Sequence, residues 1–153
     1  MATQTKKTKS SKKLSVGVQL LNSDGVMPLR KRSSDAGYDI HASEKIIIPG
    51  HTTKPVKTGI ALDLPKGYFA KIFDRSGVAL NTSLIVKAGV VDTEYIGEVG
   101  IIIANVGPYP ETILKGDRIA QFSLLPVPEF SVKEVKTIKK TTRGSKGFGS
   151  SGR

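Results

Sequence analysis

From Leu14 onward, short stretches rich in Val and Ile, several of them alternating apolar and polar, are separated by clusters of Gly, Pro, Asn and Asp. LSVGVQLL, KIIIPG, TGIALDLP, GYFAKIF, SLIVKAGVV, EVGIIIAN, IAQFSLLPV and FSVKEV read as strands, because β-branched side chains fit a pleated, half-buried surface. Turn-forming groups punctuate them: Ser23-Asp24-Gly25, Pro49-Gly50, Pro65-Lys66-Gly67, Val106-Gly107-Pro108 and Lys115-Gly116-Asp117. The pattern predicts an all-β, single-domain β-barrel or jelly-roll-like fold. Only Arg75 to Leu80 is able to form a helical turn, and it is too short to be more than a connector. The compact body is expected at 14–136, with a basic arm at 1–13 and a Gly-rich arm at 137–153.

Charge sharpens this division. The chain of 153 residues carries a net +11, but residues 1–13 hold five Lys and no acid, and 137–153 hold five Lys/Arg and no acid. The body between has 14 Lys/Arg against 13 Asp/Glu, a net of +1. A body built to follow a nucleic-acid backbone would carry a basic face of its own, so nucleic acid is not the expected partner. KKTKSSKK near the start reads equally as a nuclear-import signal or a solubilising arm. No apolar run approaches the ~20 residues of a membrane helix, and no hydrophobic stretch follows the basic start as in a secretory signal. An intracellular protein, nuclear or cytoplasmic, is expected. Zero cysteines exclude disulfides, thiolate zinc and thiol catalysis, and two histidines are too few for a histidine-built metal site.

Five polar, Gly-containing stretches interrupt the strands, where binding residues sit on a β scaffold. In Ala36-Gly37-Tyr38-Asp39-Ile40 an acid opens a strand. In Asp74-Arg75-Ser76-Gly77-Val78, a cation, a hydroxyl and a Gly open a helical turn, which makes either an anion site or a structural turn. Gly89-Val90-Val91-Asp92-Thr93-Glu94-Tyr95-Ile96-Gly97 reads as a β-hairpin with Asp92 at its rim. That acid either caps the turn or serves as a general base among apolar neighbours. Gly116-Asp117-Arg118-Ile119-Ala120-Gln121 is a turn with an internal charge pair, followed by a strand that turns Gln121 away from Ala120.

The fifth stretch is the C-terminal arm, TIKKTTRGSKGFGSSGR. It has too little apolar surface to offset its ordering entropy, yet it holds what a phosphate-rich, ring-bearing ligand needs. Arg143 can fork onto a phosphate, Gly149 lets backbone amides approach, Ser150 and Ser151 add hydroxyls, and Phe148 offers a face for stacking on a base.

In this order and spacing the five stretches, above all GVVDTEYIGE, GDRIAQ and RGSKGFGSSG, closely resemble the motifs of the trimeric deoxyuridine triphosphatase (dUTP pyrophosphatase) family, from about Leu14 to Gly152. The resemblance implies a homotrimer of β-barrels that hydrolyses dUTP to dUMP and pyrophosphate. Such an enzyme keeps uracil out of DNA and supplies dUMP for thymidylate synthesis. The sites lie at subunit interfaces, each closed by a neighbour's C-terminal arm. It also implies the roles. Asp92 deprotonates the water that attacks the α-phosphorus, with Gln121 beside it. Tyr95 packs on the deoxyribose, and the backbone of Gly89, Val90 and Val91 reads uracil. Arg75, Ser76 and Gly77 bind phosphate, and Asp39 holds Mg²⁺ through waters. Arg143, Gly149, Ser150 and Ser151 clamp the γ-phosphate while Phe148 stacks on the base.

Four positions depart from the commonest family pattern: Asp35 and Lys87 where small residues are usual, Lys146 where Gly is usual, and Ser151 where Thr is usual. None removes a catalytic group. Two rivals share the fold. A dCTP deaminase relative should carry a different arrangement of acids. A catalytically silent nucleotide- or nucleic-acid-binding protein should have lost Asp92, Arg143 or Phe148, and all three are present.

Overall fold

The computed structural model describes residues 14–145 and Gly147. The expectations for the first arm, and those for Lys146, Phe148, Gly149, Ser150 and Ser151, lie outside the described residues. Eleven strands and one short helix follow in order: β1 (Gly17–Leu20), β2 (Tyr38–His41), β3 (Ile46–Ile48), β4 (Thr53–Val56), β5 (Ile60–Asp63), β6 (Tyr68–Phe73), α1 (Ser76–Asn81), β7 (Leu84–Val86), β8 (Val90–Val91), β9 (Ile101–Asn105), β10 (Glu111–Ile113) and β11 (Arg118–Pro126). They form four antiparallel sheets, β1-β5, β10-β3, β2-β11-β6-β8 and β4-β9-β7, rather than one continuous ring. All contribute to one core, with Ile40, Ile60, Ile72, Leu84, Ile103 and Ile113 buried together in a jelly-roll-like arrangement.

Two strands hold this scaffold. β9 is central in its sheet and buries Ile101, Ile103 and Ala104, which is why its sequence is a continuous apolar run rather than an alternation. Its end is tied by Asn105, whose Nδ2 donates to Ile48 O (3.0 Å) and Tyr109 O (2.7 Å) while its Oδ1 accepts from Gly107 N (3.0 Å). A buried amide so satisfied costs little and fixes three loops at once. β11 lies between β2 and β6, pairing Gln121 with Asp39 on one side and with Phe73 on the other. A bulge between Arg118 and Ala120 re-aims the start of this strand.

The structure revises several sequence expectations. SLIVKAGVV is not one strand: Ala88 (φ 59°) and Gly89 (φ 88°) turn the chain between β7 and β8. The hairpin around Asp92 also does not form, because β8 pairs with β6 and the chain after the turn returns to Ile60, to whose oxygen Val99 N donates. FSVKEV is no strand; regular structure stops at Pro126, and Phe130 (78% exposed) and Val132 (90%) find no partner strand among the described residues. Two short strands escape the sequence pattern, β4 and β10, whereas the strand expected to open at Asp39 is β2. β4 contains Pro55, tolerated because β4 is an edge strand.

Candidate functional site

The first cluster gathers on Asp39 of β2. Its carboxylate accepts from Arg75 Nε at 2.7 Å and Nη2 at 3.3 Å, a forked pair, and from Arg118 Nη1 at 3.3 Å. Arg75 is itself the extended residue that precedes α1, and its Nη1 also donates to Arg118 O (3.3 Å). The preceding Asp74 accepts from Val86 N at 2.6 Å, which ties this turn to β7. Gln121 sits opposite Asp39 in register and donates from Nε2 to Asp74 O at 2.9 Å. Gly37 leaves room for it: a Cβ there would stand 2.4 Å from Gln121 Oε1. Asp39, Arg75, Ser76 and Gln121 thus line one cleft of about 300 Å³. Gly77 faces an adjacent cleft of about 390 Å³, with Arg75 and Arg118 standing between the two.

The internal charge pair expected at Asp117–Arg118 is not made. Asp117 Oδ2 accepts from Leu114 N (2.7 Å), closing its own turn, and Arg118 reaches across to Asp39 instead. Beside this cluster His41 buries Nδ1 without a partner among the described residues. Burial pushes its pKa below the ordinary 6.5; Asp39 pulls the other way, and Arg118 and Arg75 add to the depression.

The second cluster is built on β8. Gly89 must be glycine twice over, by its φ of 88° and because a Cβ would stand 2.8 Å from Ile72 O. Ile72 N donates to Gly89 O at 2.8 Å, which seats Val90 and Val91 against Lys71 and Ala70. The other edge of β8 is unpaired among the described residues. The turn that follows is closed by Tyr95 N donating to Asp92 O (3.1 Å), and Thr93 Oγ1 donates to Tyr68 O. Tyr95 is half-exposed, and its hydroxyl donates to Glu98 O at 2.9 Å. Glu98 is in turn fixed by accepting from Thr58 N (3.1 Å) and Gly59 N (2.8 Å). Asp92 and Tyr95 line a wide groove of about 1270 Å³ with Phe69, Val127 and Phe130.

One chain does not bring the two clusters together. Asp39 and Asp92 lie at opposite edges of the four-stranded sheet, three strand spacings apart and four residues out of level, or roughly 20 Å. Asp92 is also exposed, so the described residues alone do not enclose it in the apolar surroundings expected for it. Arg143 lies in the exposed segment beyond β11, close to the turn in which Gly144 N donates to Thr141 O at 3.1 Å. Sequence reasoning missed Arg118 and Glu98. The i, i+3 step from Tyr95 to Glu98 was the available signal for the second; nothing in the sequence signalled the partner of the first.

The fold and the two clusters define an all-β protein whose polar cleft, with its guanidiniums and hydroxyl, suits a phosphorylated ligand. A family model described as dUTPase matches residues 23–152, so the chain belongs to the dUTPase family. It is 39% identical over 140 residues to the deoxyuridine 5'-triphosphate nucleotidohydrolase of Kluyveromyces lactis, covering 91% of this chain and 95% of that one. The Clostridioides difficile protein of the same name is 38% identical, over 88% and 96% of the two chains. Among solved structures, the dUTPase of Staphylococcus bacteriophage 80alpha with dUpNHpp superposes with a TM-score of 0.84 at 31% identity, over 91% of this chain and 99% of that one. A mutant dUTPase from phage phi11 of S. aureus superposes at 0.75 and 28% identity, over 80% and 97%, and its structure describes the coordination of a structural Mg(II) ion.

Proposed function

We propose that this chain is a dUTP diphosphatase that works as a homotrimer, each site drawing its two clusters from different subunits. Family membership supports the reaction. The observation that carries the shared site is the separation of roughly 20 Å between Asp39 and Asp92 in one chain. A general base must stand within about 3 Å of its proton or one water away, so a single chain cannot hold the triphosphate on the Asp39 cluster and attack it from Asp92.

In this reading Asp92 of one subunit orients a water and takes its proton as the oxygen attacks the α-phosphorus. The bond to the bridging oxygen breaks, and dUMP and pyrophosphate leave. Arg75, Ser76 and Gln121 of a neighbour hold the phosphates in line and neutralise charge that builds in the transition state. The edge of β8 that is unpaired among the described residues offers backbone donors and acceptors to uracil at Val90 and Val91, so base choice is set by main chain and shape. Tyr95, anchored through Glu98, sets its ring against the sugar. The C-terminal arm, with Arg143, Phe148, Gly149, Ser150 and Ser151, closes the site.

Among the described residues no three His, Cys, Asp or Glu side chains cluster to hold a metal, and Asp39 is met by two guanidiniums. That set does not suit a resident cation. Asp39 would instead hold, through waters, a hydrated Mg²⁺ brought in by the triphosphate. Such an ion supplies further charge neutralisation on the phosphates.

Pyrophosphate release from dUTP beside dCTP, dTTP and UTP with Mg²⁺ tests the reaction; equal rates on all four, or none on dUTP, overturn it. The shared site is tested by mixing a chain truncated after Lys140 with an Asp92→Asn chain. Two inactive parents should regain activity once subunits exchange. Confirmed mixed trimers without activity would place each arm over its own chain.

A further inference from the structure

The cleft around Asp39 holds more positive charge than its carboxylates balance. Five cations line it, Arg30, Lys31, Arg32, Arg75 and Arg118, against two carboxylates, Asp35 and Asp39. Three of the five are committed. Arg75 and Arg118 pair with Asp39, while Arg30 lies 4.8 Å over the Tyr38 ring and donates from Nη1 to Asp35 O at 3.2 Å. Among the described residues, Lys31 and Arg32 have no carboxylate partner.

The loop that carries them is built rather than loose. Asp35 Oδ2 accepts from Arg32 N at 2.8 Å and Asp35 N donates to Arg32 O at 3.1 Å, which closes the turn. Its first end is tied by Asp39 N donating to Leu29 O at 2.8 Å. Its second end passes through Gly37, which packs against Gln121. Both ends are therefore fixed to residues of the candidate site. Asp35, the acid that departs from the family pattern, is what closes the loop.

We propose that Lys31 and Arg32 form an outer phosphate subsite that takes the terminal phosphates of the incoming nucleotide, with Asp35 as the positioning residue that presents them. The inference rests on the reading of this cleft as the triphosphate side of the site. Arg75 spends all three of its nitrogens on Asp39 and Arg118 O, and Arg118 one of its own on Asp39, whereas Lys31 and Arg32 share their charge with no carboxylate among the described residues. They stand at the exposed rim, where attraction draws a polyanion inward and is screened by salt. The body as a whole is nearly neutral, so the attraction comes from this cleft rather than from net charge.

The test uses the full chain. Lys31→Ala/Arg32→Ala should lower kcat/KM for dUTP by about tenfold at low salt, through KM, with the gap closing as KCl rises. Affinity for a non-hydrolysable dUTP analogue should fall alike, and affinity for dUMP, which lacks the terminal phosphates, should not. Asp35→Ala should raise KM in the same way, while Asp35→Asn, whose amide oxygen still accepts from Arg32 N, should match the wild type. Lys45→Ala/Lys54→Ala removes equal charge elsewhere and should change neither constant. Unchanged analogue affinity in the Lys31/Arg32 variant, an equal loss for dUMP, or an equal loss on removing Lys45 and Lys54 would overturn the subsite. Tighter binding by Asp35→Asn would reduce Asp35 to its charge and overturn its positioning role. Wild-type protein inactive on dUTP would instead strike the proposed reaction.

Discussion

Gly97→Ala tests whether the position of Tyr95, rather than its presence, sets the choice of sugar. A Cβ at residue 97 would stand 2.8 Å from Tyr95 Oη, 2.9 Å from Cζ and 3.2 Å from Cε2, where ordinary contact begins at 3.4 Å. Gly97 is not among the glycines at positive φ, so the new methyl meets the ring without backbone strain. The ring must withdraw by at least 0.6 Å, the difference between 3.4 and 2.8 Å. The 2.9 Å bond from its hydroxyl to Glu98 O is then lost, at a cost of about 1 kcal/mol. The displaced atoms are the tip of a half-exposed side chain, so the shift itself costs little more. A ring withdrawn by that amount opens space on the sugar side, so the preference for dUTP over UTP should fall by about tenfold, or ~1.4 kcal/mol. Tyr95→Phe, which keeps the ring and drops only the hydroxyl bond, should fall between wild type and Gly97→Ala. The assay is kcat/KM for both nucleotides beside urea unfolding of each variant. If Gly97→Ala loses stability while both rates fall in parallel, the ring does not discriminate and the reasoning fails.

Asp92→Asn should leave folding and dUTP binding near wild type and lower kcat by about a hundredfold or more, read in single-turnover assays; equal turnover removes Asp92 as the base. His41 is held neutral by burial, so the unfolded chain binds more protons below its ordinary pKa of 6.5. Its contribution to stability is present above that value and lost as pH falls through the depressed folded pKa. Urea midpoints at pH 7.5 and 5.5 should therefore differ less in His41→Gln than in wild type. Deleting residues 1–13, which match none of the five stretches and hold no acid, should leave kcat and KM unchanged; a large drop in either would bring that arm into the site.

The fold class was legible because the physics that decides it is local. Ile101 to Asn105 and Ile60 to Asp63 are dense in residues that only a buried strand accommodates. Where sheet pairing overrides local pattern, the sequence misleads. Lys87-Ala88-Gly89 looks like strand interior, but two consecutive positive φ values turn it, and only the pairing of Ile72 with Gly89 shows why. Phe130 to Lys133 alternates like a strand, yet a strand exists only where it pairs, and this segment pairs with none of the described residues. The site follows the same division. The family resemblance singled out Asp39, Arg75, Asp92 and Gln121, whose residue types alone left turn chemistry equally open. Their partnerships stayed hidden, because the approach of Arg118 to Asp39 crosses 79 residues of sequence and depends on a bulge in β11. The same bulge lets Ile119 and Ala120 both be buried while Arg118 turns outward to the cleft. A single irregularity in hydrogen-bond register thus serves core and site at once. Removing it would exchange the faces of Arg118 and Ile119, setting a guanidinium against the core.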